Sequence, residues 1–274
     1  MINIVILGAS GFVGNALTDY LCKKKKYKLF LFDRNKIKIN KKKVSLKIID
    51  IKNLNNFNLP RNNFYVINLC AELGNKNLKL NIDNNVTTTI RVIKILQNNS
   101  YCRGIVHFSS ISASRKISAY GLTKKKSEIL FKFTNLKFII LQSEMIIGKN
   151  ARSITKLIKI IKLLPFCIFL PNRGKVIRYP IPINDVCSIV EKIINKNYFT
   201  KKTYSIVSNK IFLEDLVKKI TKKKILNLNK NFLLMIAKIL EFFFDKPIFT
   251  YDNAYGICSN TKTNNNIIRN IFFK

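Results

Sequence analysis

Tyr120 and Lys124 stand four residues apart in Tyr120-Gly-Leu-Thr-Lys124, so on a helix they share one face, one turn from each other. An ammonium near a phenol favours the phenolate, which makes the pair a credible general acid/base near neutral pH. Ser110 ends an apolar run (Gly104 to Phe108, then Ser109-Ser110) ten residues before Tyr120. The end of a strand fixes where a side chain sits. For that reason Ser110 is preferred as the catalytic serine over Ser112 and Ser114.

A second constellation lies at the N-terminus. Gly8, Gly11 and Gly14 follow a β-branched run, Ile2 to Leu7, and open a helical pattern, Ala16 to Cys22. In such a GxxGxxG turn one glycine makes the turn, one admits a pyrophosphate and one lets the helix pack on the strand, with the helix N-terminus facing the anion. Asp33, at the end of the next apolar run, stands where a ribose diol would be held. A carboxylate accepts from both ribose hydroxyls and repels a 2′-phosphate, which favours NAD. Arg34 beside it could receive that phosphate, so NADP stays possible.

The elements that must hold these groups follow from periodicity. Apolar runs of strand length occur at 2–7, 28–32, 44–49, 64–69, 104–108 and 138–141, separated mostly by helical patterns, among them 83–96 and 120–133. Strands alternating with helices predict an α/β fold, a Rossmann-type doubly wound parallel sheet covered on both faces. After Gly148 the rhythm breaks into helices at 153–163, 213–221 and 232–244. The domains expected are a dinucleotide-binding domain, 1–150, and a smaller, mainly helical substrate lobe, 151–274, with 183–209 packing back on the first. Phe242-Phe-Phe244 is read as packing that lobe; docking on a membrane through a basic amphipathic helix is the alternative.

The chain has 274 residues, 47% hydrophobic and 23% charged, which excludes a disordered chain. No apolar run reaches the ~18 residues of a membrane span, and Met1 to Gly8 has no basic region or cleavage site of a signal peptide. The six cysteines show no metal-ligand spacing, and no metal is expected. They read as reduced, mostly buried thiols of a cytoplasmic protein. The formal charge of +36 comes from dispersed lysines accompanied by many asparagines and isoleucines. It reads as a solvated, compositionally biased surface with no specific nucleic-acid partner. His107, the one histidine, sits inside a buried run and reads as a packed core residue.

Taken together, the motifs resemble the short-chain dehydrogenase/reductase superfamily, in particular its extended branch of NAD-dependent epimerases and dehydratases acting on nucleotide sugars. The resemblance covers most of the chain: Gly8-Ala-Ser-Gly11-Phe-Val-Gly14, Asp33, Asp50-Ile51, Leu69-Cys70-Ala71, Asn84-Asn85, Ser109-Ser110, the Tyr120/Lys124 pair and Arg178-Tyr-Pro-Ile-Pro-Ile-Asn-Asp185. It implies that Tyr120 is the acid/base, that Lys124 binds the nicotinamide ribose and lowers the Tyr120 pKa, and that Ser110 hydrogen-bonds the reacting oxygen. Gly8, Gly11, Phe12, Val13, Gly14, Asp33, Arg34, Asp50, Ile51, Ala71 and Asn85 would border the cofactor. Arg178 would meet the substrate diphosphate, the competing account being that it pairs with an acid that closes the lobe. A non-catalytic dinucleotide-binding scaffold, attached to a membrane complex or RNA, is the runner-up function, and a homodimer is left open. Two departures stand out. Gln142-Ser143 replaces the family's frequent Arg-Pro, and Ser112 to Ser118 replaces its Val-Tyr-Gly; the C-terminal lobe is also short and offers no second arginine in a clear position to clamp the diphosphate, which points to a smaller, reductase-like site.

Overall fold

The structure, a computed structural model, describes residues 1–34, 44–48, 51–53, 59–71, 77–115, 118–149, 151–164, 166–244, 247, 249–263 and 266–272. The first half alternates as its apolar runs require: β1 (Ile2–Leu7), α1 (Phe12–Cys22), β2 (Tyr27–Asp33), β3 (Val44–Ile48) and β4 (Phe64–Asn68). A long helix follows, built of α2 (Leu78–Asn81), one wide π-helical stretch (Ile82–Thr87) and α3 (Thr88–Gln97). It starts five residues before the predicted Asp83, because the Asn77 side chain caps it by accepting from the Leu80 amide at 3.0 Å. Next come β5 (Cys102–Ser110), the short α4 (Ser112–Arg115), α5 (Ala119–Lys132) and β6 (Phe138–Ser143).

The chain then leaves the sheet through β7 (Met145–Ile147), α6 (Arg152–Leu163), β8 (Cys167–Pro171), β9 (Ile177–Arg178) and β10 (Pro180–Pro182). It returns with α7 (Ile183–Asn195) and β11 (Thr203–Ile206). The remainder is β12 (Ile211–Phe212), α8 (Leu213–Lys218), β13 (Lys224–Leu228), α9 (Lys230–Phe243), α10 (Tyr251–Cys258) and α11 (Arg269–Phe272).

Seven parallel strands form the central sheet in the order β3-β2-β1-β4-β5-β6-β11. The strand order reverses between β1 and β4, and the loops at their carboxyl ends open a crevice there. One apolar layer packs the sheet against α1 and α7, and a second packs its other face against α3 and α5. Tyr20, Tyr27 and Lys24 all converge on Glu191 of α7, tying α7 to α1 and β2. A third cluster (Ile161, Ile168, Leu170, Leu213, Leu216, Val217) is the core of the lobe.

Besides helices the part of the chain after β6 contains the strand pairs β7/β10, β9/β12 and β8/β13. Strands of two to five residues are too short to show a period in the sequence. Two readings are corrected here. Only Cys187 is buried; the other five cysteines are half-exposed. Phe242, Phe243 and Phe244 do not pack the lobe but stand 81%, 71% and 56% exposed, because α9 turns its other side to α10.

Candidate functional site

Gly8 takes φ +81°, a left-handed conformation that a side chain would strain. A Cβ on Gly14 would lie 2.6 Å from the Gly8 carbonyl oxygen, so close packing of α1 on the turn fixes that glycine. Gly11 differs. The nearest atom to a Cβ there is the Gly8 carbonyl oxygen at 3.4 Å, an ordinary contact. The protein itself therefore does not require glycine at this position, whereas a group lying against the turn would. Gly11 caps α1 with no side-chain hydrogen bond and no acid in the first turn. Phe12 and Val13 form that first turn; the Val13 side chain packs on the core.

Asp33 ends β2, 6% exposed, and accepts from the Ser10 amide at 2.8 Å. Gly8, Gly11, Asp33, Arg34, Ile51 and Ala71 line a cavity of about 160 Å³, together with Cys70, Asn84 and Thr88. Arg34 Nη1 lies 3.5 Å from Asn84 Oδ1. Asp50 lies outside the described residues.

Asn85 needs correction: it does not border this cavity. Its amide donates to Thr123 Oγ1 at 2.9 Å and its carbonyl accepts from Thr89 and Ser127 at 2.6 and 2.9 Å, so it fastens the π-helical stretch to α5. The wide turn sets Asn84 and Thr88 toward the cavity instead. No periodicity signals such a turn.

Tyr120 lies in the first turn of α5, whose N-cap Ser118 accepts from the Gly121 amide at 3.0 Å. Its phenol is close enough to Ser110 for that hydroxyl to favour the phenolate. Lys124, 2% exposed, donates from Nζ to the Phe108 carbonyl at 2.5 Å. Burial lowers the Lys124 ammonium to about 8, against the opposing influence of Glu128 and Cys70. Ser110 lines the second cavity, and Cys70, which acts on Lys124, lines the first; Tyr120 and Lys124 are in the lining of neither. One electrostatic expectation is reversed. Burial pushes the Tyr120 phenol up, the Ser110 hydroxyl opposes this and the Asp252 charge reinforces it. Lys124 is turned to the Phe108 carbonyl, and the charge facing the phenol is negative.

The second cavity, about 230 Å³, is lined by Ser110, Ser112, Arg115, Met145, Arg178 and Asp252, with Glu144 and several apolar side chains. Asp252, on α10, accepts from Ser112 Oγ at 3.3 Å, and Ser118 also helps to hold its charge, while its other oxygen is buried with no partner among the described residues. Arg178 is 4% exposed. Its Nη1 donates to Glu144 at 3.0 Å, Thr261 at 2.9 Å and the Ser259 carbonyl at 3.2 Å; Nη2 donates to the Gly256 carbonyl. Glu144 also accepts from the Tyr179 amide at 2.7 Å. This engagement with Glu144 and the end of α10 supports the lobe-closing account of Arg178 over the diphosphate anchor. Arg115 and Asp252 belong to no sequence motif; only the short β5–α5 connection and the docking of α10 bring them to the wall.

Gln142 has an internal partner as well. Its amide and Ser109 Oγ donate to Glu128 Oε1 at 2.7 and 2.5 Å, all three residues buried behind the site. His107 is 0% exposed, and its Nδ1 accepts from Asn68 Nδ2 at 3.2 Å. Among the described residues no cluster of metal-ligating side chains occurs and no helix is long and apolar enough to cross a membrane.

No curated protein sequence matches the chain. Solved structures share its fold. The Bacillus cereus UDP-glucuronic acid 4-epimerase, in complex with UDP-glucuronic acid and NAD, is 18% identical with a TM-score of 0.71, over 96% of this chain and 95% of that one. The Bordetella bronchiseptica enzyme WbmF, in complex with NAD+, is 18% identical with a TM-score of 0.68, over 83% and 81%. A UDP-N-acetylglucosamine 4-epimerase from Methanobrevibacter ruminantium, with UDP-N-acetylmuramic acid, is 15% identical with a TM-score of 0.69, over 83% and 85%. The model of the NAD dependent epimerase/dehydratase family matches residues 4–206, which include the glycine turn, Ser110, Tyr120, Lys124 and Arg178, and the chain belongs to that family.

Proposed function

We propose that this protein transfers hydride between NAD and a sugar carbon of a nucleotide-linked hexose, as an oxidoreductase or epimerase. The observation that carries the reading is the placement of Ser110 at the wall of one cavity, close enough to the Tyr120 phenol to work against its upward pKa shift, with buried Lys124 one turn along α5. A scaffold has no need of three such groups in register.

The residues around the first cavity fit a dinucleotide. Gly11 leaves room for a pyrophosphate against an α1 terminus whose first turn carries no acid, and Asp33 is placed to accept from a ribose diol. NAD is preferred over NADP because the carboxylate sits at the end of β2. When bound, the nicotinamide supplies the hydride chemistry. The protein then has three tasks. Tyr120 gives a proton to, or takes one from, the sugar oxygen; Ser110 holds that oxygen by a hydrogen bond; Lys124 fixes the nicotinamide ribose and contributes positive charge.

Arg115 is the side chain we assign to the substrate phosphates. It lines the cavity, and its one hydrogen bond among the described residues is a long one, 3.4 Å to Thr261 Oγ1. Arg178, engaged as described, supports the wall that Arg115 shares. The structures of similar fold in complex with NAD and UDP-glucuronic acid, or with NAD+ and UDP, support the same assignment of chemistry.

The test is turnover of UDP-, GDP- and dTDP-hexoses with NAD, followed by absorbance of the reduced cofactor and by product analysis. Tyr120→Phe should lower kcat by ~10²–10⁴-fold and leave NAD affinity unchanged. A phenylalanine enzyme within about tenfold of wild type would remove Tyr120 from the chemistry.

A further inference from the structure

Helix α9 is apolar on almost every side, yet it lies on the surface. Ala237 is buried, and Lys230 and Lys238 lie over the rings of Tyr255 and Tyr251 on the side facing α10. On the other side Phe232, Met235, Ile239, Phe242 and Phe243 follow one another at spacings of three, four, three and one residues, which is a single helical stripe. All five are exposed by about half or more, and Phe244 extends the stripe beyond the helix. A continuous aromatic and aliphatic face of this kind marks a surface that something covers.

Charge decides between the occupants. A second copy would bring together two chains of formal charge +36. Lys222, Lys224, Lys230 and Lys238 are exposed at and just before the helix, whereas its one acid, Glu241, is turned inward to the Tyr251 amide at 2.9 Å. Exposed phenylalanines flanked by lysines match the boundary between acyl chains and anionic headgroups. Fourteen residues give a helix about 21 Å long, too short to cross a bilayer.

We propose that α9 is a membrane-docking helix that lies on an anionic lipid surface, its Phe232-to-Phe244 stripe in the acyl boundary and its neighbouring lysines at the headgroups. The same lobe adds exposed Leu163, Phe166 and Phe169, the last on β8, which pairs with the strand leading into α9. Docking here holds the lobe against the bilayer and leaves the glycine-turn crevice on the central sheet. Nothing in this surface depends on the chemistry assigned to Tyr120.

Flotation of the full-length protein with two kinds of vesicle tests it: phosphatidylcholine alone, and phosphatidylcholine with an equal part of phosphatidylglycerol. The protein should float with the second and far less with the first. Phe242→Ser with Phe243→Ser should cut the partition coefficient about tenfold or more, and so should Phe232→Ser with Met235→Ser at the other end of the stripe. These side chains are exposed, so melting temperatures should not change. Three outcomes would overturn the proposal. The wild type fails to float with anionic vesicles at low salt; or both variants float as well as wild type, lysines alone being sufficient; or light scattering shows a dimer that the variants dissociate, the face then belonging to a second copy.

Discussion

Replacing Arg178 by alanine separates a lobe-closing residue from a substrate-binding one. The substitution removes a guanidinium that is 4% exposed and leaves Glu144, itself mostly buried, without the cation 3.0 Å from its carboxylate. It also leaves the Gly256 and Ser259 carbonyls at the end of α10 without their donor. Breaking a buried ion pair by deleting one partner costs ~3–5 kcal/mol. In a protein of this size each kcal/mol lowers the melting temperature by ~2–4 °C, so Arg178→Ala should melt about 6–20 °C early. Glu144→Gln keeps the shape and the acceptor, and should cost less. A double-mutant cycle of Arg178→Ala with Glu144→Ala should give a coupling of ~2–3 kcal/mol, because each single change already loses the pair. The assay is thermal and urea unfolding beside steady-state kinetics well below the transition. On the lobe-closing account, KM for a nucleotide sugar there stays within about threefold of wild type. A melting temperature within ~2 °C of wild type with KM raised ~tenfold or more would refute the argument and return Arg178 to the diphosphate.

Gly11→Val should abolish NAD binding by calorimetry while the protein still folds, since a Cβ there meets only the Gly8 carbonyl at ordinary contact; retained affinity in the folded variant would remove the pyrophosphate from this turn. Asp252→Asn deletes the negative charge that faces Tyr120, so the phenol should titrate at lower pH than in wild type, read by tyrosinate absorbance; an unchanged or higher midpoint would show that the charge does not reach it. Glu191 is held down at about 2: burial works to raise it, but hydrogen bonds from Lys24, Tyr27 and Tyr20 prevail. A depressed carboxylate contributes stability above its ordinary 4.5 and loses it as pH falls toward 2, an interval worth ~3 kcal/mol. Glu191→Gln should therefore be less stable than wild type at neutral pH, and the gap should close between 4.5 and 2. A gap independent of pH would count against the linkage.

The parallel sheet was legible because its strands are buried on both faces and are written as unbroken apolar runs, with β1 and β5 reaching 0% exposure at Val5 and Val106. The glycine turn and the Tyr120/Lys124 pair were legible for a related reason: their spacing is local. What stayed hidden is non-local or breaks the period. The π-helical stretch rotates Asn85 away from the crevice and Asn84 into it, a difference of one residue that 3.6-fold spacing does not encode. Asp252 reaches Tyr120, and meets Arg115 at the cavity wall, only through tertiary packing that brings α10 against the β5–α5 connection. Arg178 sits in a recognisable motif, but Glu144, 34 residues earlier, decides what its guanidinium does. The Phe242-Phe243-Phe244 run was misread because apolarity signals burial without saying against what.

The polar chain across the second cavity constrains how Tyr120 works. With the phenol pushed up by burial and by Asp252, and opposed only by the Ser110 hydroxyl, the side chain holds its proton throughout the neutral range. Such a tyrosine is prepared to donate, as the reduction of a keto sugar requires. Taking a proton, as oxidation requires, needs positive charge within reach of the phenol. Lys124 is the cation on the same helix face, its ammonium made readily titratable at about 8 by burial and at present bound to the Phe108 carbonyl. Asp252 can also be quenched, because burial raises its own carboxyl despite the Arg115 charge and the serine hydrogen bonds. The proton inventory of the site is thus set by two buried groups on either side of one phenol, Lys124 from α5 and Asp252 from α10. A substrate hydroxyl that donates to the buried Asp252 oxygen would shift that balance toward the phenolate. The lobe therefore acts on the chemistry through charge as well as shape, which is why α10, and Arg178 that holds its end, matter to a reaction whose acid/base lies on another element.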